Sequence, residues 1–294
     1  MTTTAPDQTP DAPGSARAGS EPIDWGIADL DLDAYLARIG APRRAPSAAA
    51  LRVLHIAHVR TIPFENIDTA TGTPPALDVA AVAAKLVGRG RGGYCYEHAT
   101  LFAAAAQRLG YPVRRRIARV RPHRSGPRTH MVLVVTADGV EHLADVGFGA
   151  GLWAPMPLVD GARGDHAGWA HRLDRRGPLW LLSRRSGREW EPLHEFDDTE
   201  QRPIDFALSH HYTATHPRSP FVGKPVVTRL SEGMCRRLVG DELRVERPDG
   251  SARTTPVPPE RLGEVLRGLG VELNDDELSR LVTTVSAGPG ILTP

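Results

Sequence analysis

Cys95 follows two glycines in the stretch "RGGYCYEH" (residues 91–98) and precedes "ATLFAAAAQRLG", a run with helical character. A thiol at a helix start lies among unpaired N–H groups and at the positive end of the helix dipole. That setting favours the thiolate, and the thiolate is the nucleophile. The same residue could also be a small buried hydrophobe, which many lone cysteines are. A cysteine nucleophile needs an imidazole for its proton and a carboxylate to orient the ring. The sequence holds twelve histidines. His130 opens the strand "HMVLVVT", and Asp145 closes the neighbouring strand "VEHLAD". If those strands are antiparallel and joined by the turn "ADG", the start of one lies beside the end of the other. His130 and Asp145 can then meet. The remaining histidines are less well placed. His55 and His58 are three apart and expected on a polar helix edge, and His210, His211 and His216 are expected to cluster in a loop. That cluster has no cysteine or carboxylate at ligand spacing, so no metal is assigned.

The elements that must position these groups are partly legible. Helices are expected over "DLDAYLARIG" (31–40), "SAAALRVLHIAHVR" (47–60, capped by Ser47) and "DVAAVAAKLV" (78–87, capped by Asp78 and ended by Gly88). A fourth runs from about Cys95 to Gly110. Gly92 and Gly93 are expected to let the chain turn tightly just before it. Beyond Gly110 the pattern changes to short β-branched runs separated by Gly, Pro and Asp: "VRRRIARV", "THMVLVVT" and "VEHLADVGF". "LWLLSRRSGREWEPLHEF" (179–196) reads as a hairpin turning at Ser186-Gly187. The last section mixes the strands "PVVTRL" and "LRVERPDGSART" with the helices "PERLGEVLRGLG" and "DDELSRLVTTV". The order is helices, then an antiparallel sheet or barrel, then mixed α/β.

Composition narrows the function. The 294 residues carry a net charge of +1, with 40% apolar and 24% charged residues. This is an ordinary globular balance with no pull toward nucleic acid or an anionic membrane. No apolar run is long enough to span a bilayer. Residues 1–22 lack a basic segment followed by an apolar one, and read as a disordered extension. Two cysteines, Cys95 and Cys235, suit a reducing cytoplasm better than a disulfide scaffold.

Five segments taken in chain order, "IPFENID" (62–68), "RGGYCYEH" (91–98), "THMVLVV" (129–135), "DVGFG" (145–149) and "HYTATHPRSPFV" (211–222), together resemble the arylamine N-acetyltransferases. The resemblance runs from about Ile27 onward. It implies an α+β fold with an N-terminal helical bundle, a central antiparallel β-barrel and a C-terminal α/β lid. The expected limits are 23–110, 111–208 and 209–294. It implies acetyl transfer from acetyl-CoA, as co-substrate and without a metal, to a small arylamine or hydrazine. The triad would be Cys95, His130 and Asp145, set between the first two units.

The resemblance also implies a bracing ion pair of Arg91 with Glu65, which could equally be an ordinary surface pair. It implies an acceptor pocket lined by Phe64, Phe148 and Phe221, each of which could be plain core instead. Thr129, Gly147 and Gly149 would approach the acyl-CoA donor. Where the family pattern has Asn, four residues after the cysteine, this chain has Ala99. From the residues themselves, Arg114, Arg116 and Arg121 alternate along a strand and could meet phosphates, or could form a solvated face. Amide synthases of the same family, which close macrolactams from carrier-bound polyketides, share the triad and stay open as an alternative. A papain-like or transglutaminase-like hydrolase is disfavoured by "IPFEN" and "DVGFG", and a non-catalytic binding protein by the intact triad. The residues leave the oligomeric state open.

Overall fold

The structure, a computed structural model, describes residues 23–287. The expected extension at 1–22 and the end of the expected lid, 288–294, lie outside these residues. The fold is mixed α+β. It has an eight-stranded antiparallel sheet, curled into a nearly closed barrel, a second sheet of five strands, and helices against both.

Local chemistry explains the first helices. Helix α1 (Leu32–Ile39) starts where the Asp31 carboxylate accepts from Ala34 N at 2.9 Å, and it buries Leu32, Tyr35, Leu36 and Ile39 along one stripe. Helix α2 (Ala48–Thr61) is capped by Ser47, and α4 (Val79–Ala83) by Asp78. The short α3 (Ile67–Ala70) lies between them. The helix expected over 78–87 does not continue regularly. Residues Ala84–Gly88 widen into a π-turn, a form that often marks a functional position. Lys85, in that turn, reaches three carboxylates, those of Glu65, Asp68 and Glu97.

Helix α5 (Cys95–Arg108) is the central element. Ala103, Ala104, Ala105 and Ala106 are all fully buried. Four alanines keep helix propensity high and the surface flat, so the strand Arg128–Ala137 can pack closely against it. Strands β2 (Val113–Val120), β3 (Arg128–Ala137) and β4 (Val140–Leu143) form a meander with Ala118 opposite His130 and Val134 opposite Leu143. Strand β5 (Met156–Pro157) borders β4. Strands β6 (Arg163–His166), β7 (Trp169–Arg176), β8 (Leu179–Ser186) and β9 (Glu189–Phe196) extend the same sheet, and β9 pairs with β2. The β8–β9 hairpin turns at Gly187-Arg188, since Ser186 still pairs with Glu189. That is one residue later than expected.

Three parts differ from the sequence reading. Residues Pro203–Thr215 form a helix, α6, which begins with Pro203 and with Asp205 accepting from Arg202 N at 2.7 Å. His210 and His211 are therefore helical rather than in a loop, and α6 runs across the 208/209 limit. Residues Met234–Val239 form a strand, β11, that places Cys235 in a sheet. Finally, β1 (Phe64–Glu65), from the helical section, pairs with β10 (Val226–Ser231) and joins the second sheet, completed by β12 (Glu242–Glu246) and β13 (Ala252–Pro256). Helices α7 (Leu262–Gly268) and α8 (Asp275–Ser286) close this part over Val227, Leu238, Leu266 and Leu281.

Candidate active site

The segment Pro63–Asn66 is a hub that joins the start of α5 to residues 221–226. The Pro63 carbonyl accepts from His98, and Phe64 forms a parallel bridge with Gly93. Asn66 Nδ2 donates to the Phe221 and Lys224 carbonyls, and its Oδ1 accepts from Val226 N. Gly92 is required here by space, not by a turn: a Cβ would stand 2.2 Å from the Pro63 carbonyl oxygen. The expected tight turn at Gly92-Gly93 is thus replaced by close packing, and neither glycine has positive φ.

Behind the cysteine lies a buried charge network. Arg91 Nε donates to Glu65 Oε1 at 2.9 Å, and its two terminal nitrogens reach Asp68 and Glu277, each at 3.0 Å. Lys85 Nζ lies 2.6 Å from Asp68 and 2.8 Å from Glu97. Arg91 and Glu65 are 1% and 0% exposed, so the surface-pair reading is excluded. Burial works against both cations, but the surrounding carboxylates outweigh it and raise their pKa. Burial also pushes Glu97 up to about 7, against the pull of Lys85. Because Glu277 belongs to α8, the network fastens the C-terminal part to the cysteine loop.

Cys95 is the first residue of α5, with Tyr94 N bonded to the Glu97 carboxylate at 3.0 Å. Its sulfur lies 3.8 Å from the Thr129 carbonyl. Gly147 faces it so closely that a Cβ would stand 2.8 Å from Cys95 Cα. His130 Nε2 donates to Asp145 Oδ2 at 2.9 Å, with both side chains buried. Burial alone would lower the His130 pKa, but the charge and hydrogen bond of Asp145, helped by Cys95, raise it to about 10. Burial works against the Asp145 carboxylate, yet His130 and His194 hold it well below the usual range. Asp145 thus favours the protonated form of His130 beside the Cys95 sulfur.

A cavity of about 480 Å³ opens on this group. Phe64, Phe148 and Phe221 line it together with Cys95, Thr129, His130 and Gly147. Phe148 meets His130 edge to face at 5.1 Å, and Phe64 and Phe221 lie 6.0 Å apart. Gly149 is placed differently, against the Phe64 ring.

Other sequence candidates separate. Arg114 pairs with Glu141, and Arg116 is buried with a terminal nitrogen on the Arg115 carbonyl. Of the three alternating arginines only Arg121 lines the cavity, joined by Arg124, Arg184 and Arg237. His55 and His58 are fully buried, not on a polar edge. His58 bridges Tyr35 OH at 2.9 Å and His98 at 2.8 Å. His210 packs against Tyr94 and Tyr96, and His216 stacks on Tyr212. Ala99 is buried and offers no polar atom.

Sequence reasoning missed His194, which also donates to Asp145 Oδ2 at 2.9 Å. The ligand atoms of His130, Asp145 and His194 lie within 4.8 Å of one another, so three groups able to bind a metal converge here. Both imidazoles already spend an N–H on the carboxylate. Among the described residues, no helix is long and apolar enough to cross a membrane.

Comparison with known proteins gives consistent matches. A family model described as N-acetyltransferase matches residues 47–277. The arylamine N-acetyltransferase of Mycolicibacterium smegmatis is 37% identical over 261 residues, covering 84% of this chain and 94% of its own. The crystal structure of the Nocardia farcinica arylamine N-acetyltransferase superposes with a TM-score of 0.85 at 40% identity, covering 91% of this chain and 99% of that one. The Mycobacterium marinum enzyme, solved in complex with CoA, gives 0.80 at 34% identity, covering 87% and 98%.

Proposed function

The chain belongs to the arylamine N-acetyltransferase family, and we propose that it moves an acetyl group from acetyl-CoA to the nitrogen of an arylamine or arylhydrazine through acetyl-Cys95. The observation that carries this reading is the meeting of a helix-start thiol with the buried His130–Asp145 pair in one aromatic-lined cavity. Cys95, His130 and Asp145 act as the catalytic residues.

In the first half-reaction the Cys95 thiolate attacks the thioester carbonyl. N–H groups at the start of α5 face the developing oxyanion. The bond from carbon to the CoA sulfur breaks, and CoA leaves as a thiol with the proton of the His130 imidazolium. Cys95 is then acetylated and His130 neutral. In the second half the amine nitrogen attacks the acetyl carbonyl, His130 takes the amine proton, and the bond to Cys95 breaks. The thiolate–imidazolium pair is restored and the amide departs. Asp145 orients the His130 ring throughout and stabilises it whenever it is protonated.

Thr129 and Gly147 flank the thiol on the donor side, while Gly149 braces Phe64. Phe64, Phe148 and Phe221 form the acceptor pocket, where flat aryl groups gain contact beyond burial alone. The Arg91–Glu65 pair holds the cysteine loop. The barrel keeps an apolar cluster of its own, while another joins helical, barrel and C-terminal residues, so the three units act as one body around the thiol; a cytoplasmic setting suits the reduced thiol. Steady-state kinetics varying both substrates tests the scheme. Parallel double-reciprocal lines are expected, and intersecting lines would mean that donor and acceptor bind together.

A further inference from the structure

His194 lies on β9, fully buried, 49 residues from the carboxylate it contacts. Asp145 Oδ2 accepts from His130 Nε2 and from His194 Nε2, each at 2.9 Å, while Oδ1 accepts from Gly147 N at 3.3 Å. The two rings are 5.0 Å apart, and Phe148 touches both. What differs between them is the second ring nitrogen. In His130 the neighbouring polar group is Cys95. In His194, Nδ1 is buried with no partner. A second proton on His194 would create a buried N–H with no acceptor, a costly arrangement. Burial, seconded by His130, accordingly lowers its pKa despite Asp145. Asp145 and His130 are the titratable groups that act on it, and its other neighbours, Phe148 and Phe196, are apolar.

We propose, on the basis of the acyl-transfer reading above, that His194 is a positioning residue: a permanently neutral imidazole that shares Asp145 Oδ2 with His130. Two donors on one oxygen compete. His194 keeps the carboxylate aimed and at the same time loosens its grip on the His130 proton. That proton must move to the leaving CoA sulfur in one half-reaction and be regained from the amine in the other. A carboxylate giving all its density at Oδ2 to His130 would hold it too tightly. His194 thus sets the balance without touching the substrate.

The test compares the full-length wild type with His194→Phe and His194→Gln. ¹⁵N NMR follows the histidine rings through a pH titration, and single-turnover mixing with acetyl-CoA follows CoA release. In the wild type, His194 should remain the Nε2–H tautomer without titrating between about pH 5 and pH 9. Phe should raise the His130 midpoint by about half a pH unit or more and slow CoA release roughly tenfold. Gln, whose amide N–H can occupy the Nε2 position, should restore both. A wild-type His194 that titrates in this range, or a folded Phe variant with an unchanged or lowered His130 midpoint, overturns the proposal. The wild-type arm decides even if the Phe variant does not fold. If the wild type releases no CoA, the acyl-transfer reading fails, while the NMR result still judges His194.

Discussion

Arg91 and Glu65, 26 positions apart in sequence, form an ion pair behind the cysteine loop with neither side chain reaching solvent. A buried charge is costly once its partner is gone, and Arg91 also serves Asp68 and Glu277. Arg91→Met should therefore cost about 3–5 kcal/mol, because it strands carboxylates. Urea unfolding measures this. A loss no larger than that of an exposed pair would show that the network is solvated in solution.

Cys95 should be the reactive thiol and Cys235 the inert one. Cys235 is buried in β11, and burial raises its pKa. Cys95 opens on the cavity beside the His130 imidazolium. Brief iodoacetamide treatment followed by peptide mapping should find Cys95 modified first. Faster labelling of Cys235 would break the assignment.

Stability should fall on mild acidification. Burial holds His55, His98 and His171 down at about 4. Unfolded histidines bind protons near pH 6.5, so between about 6.5 and 4 the unfolded state carries more protons and stability drops with pH. The His58–His98 bond adds a geometric reason. His98 Nε2 donates to the Pro63 carbonyl, so its Nδ1 must stay bare to accept from His58. Glu97, raised to about 7, acts in the opposite direction, but the histidines outnumber it. The His130–Asp145 pair is neutral in this window, since its contribution is lost only on alkaline titration of His130 or on stronger acidification. Urea midpoints at pH 7 and pH 4.5 should differ by several kcal/mol in stability. Equal midpoints would refute the buried-neutral assignment.

Phe221→Ala should impair the acceptor step and spare the donor step. Phe221 lines the cavity against Phe64 and Tyr94, away from the His130 ring that Phe148 touches. Losing one aromatic contact, worth about 0.5–1.5 kcal/mol beyond area, should raise KM for aryl acceptors several-fold, with acetyl-CoA little changed. Slower CoA release with normal acceptor turnover would place Phe221 on the donor side.

The legible parts of the fold were those set by local chemistry. The caps at Ser47 and Asp78 and the β3–β4 hairpin needed only neighbours in sequence. The pairing of His130 with Asp145 followed from that hairpin alone. Helix α6 carried a readable signal, Pro203 at its first position with Asp205 two residues on, but the histidines drew the reading toward a loop. Burial of His55 and His58 was not legible, because it depends on partners as distant as Trp153 and His98. His194 is the extreme case. Its contact with Asp145 requires β9 to pair with β2 across the barrel, and no local pattern encodes that.

The central claim is an acetyl group carried on Cys95. Mixing the enzyme with acetyl-CoA and no acceptor, then measuring released CoA and the mass of the Cys95 peptide, tests it most directly. One CoA per enzyme should appear in a burst, with the acetyl group on Cys95, and adding an arylamine should remove it as the N-acetyl product. Absence of the burst, or acetylation elsewhere with Cys95 free, would contradict the account.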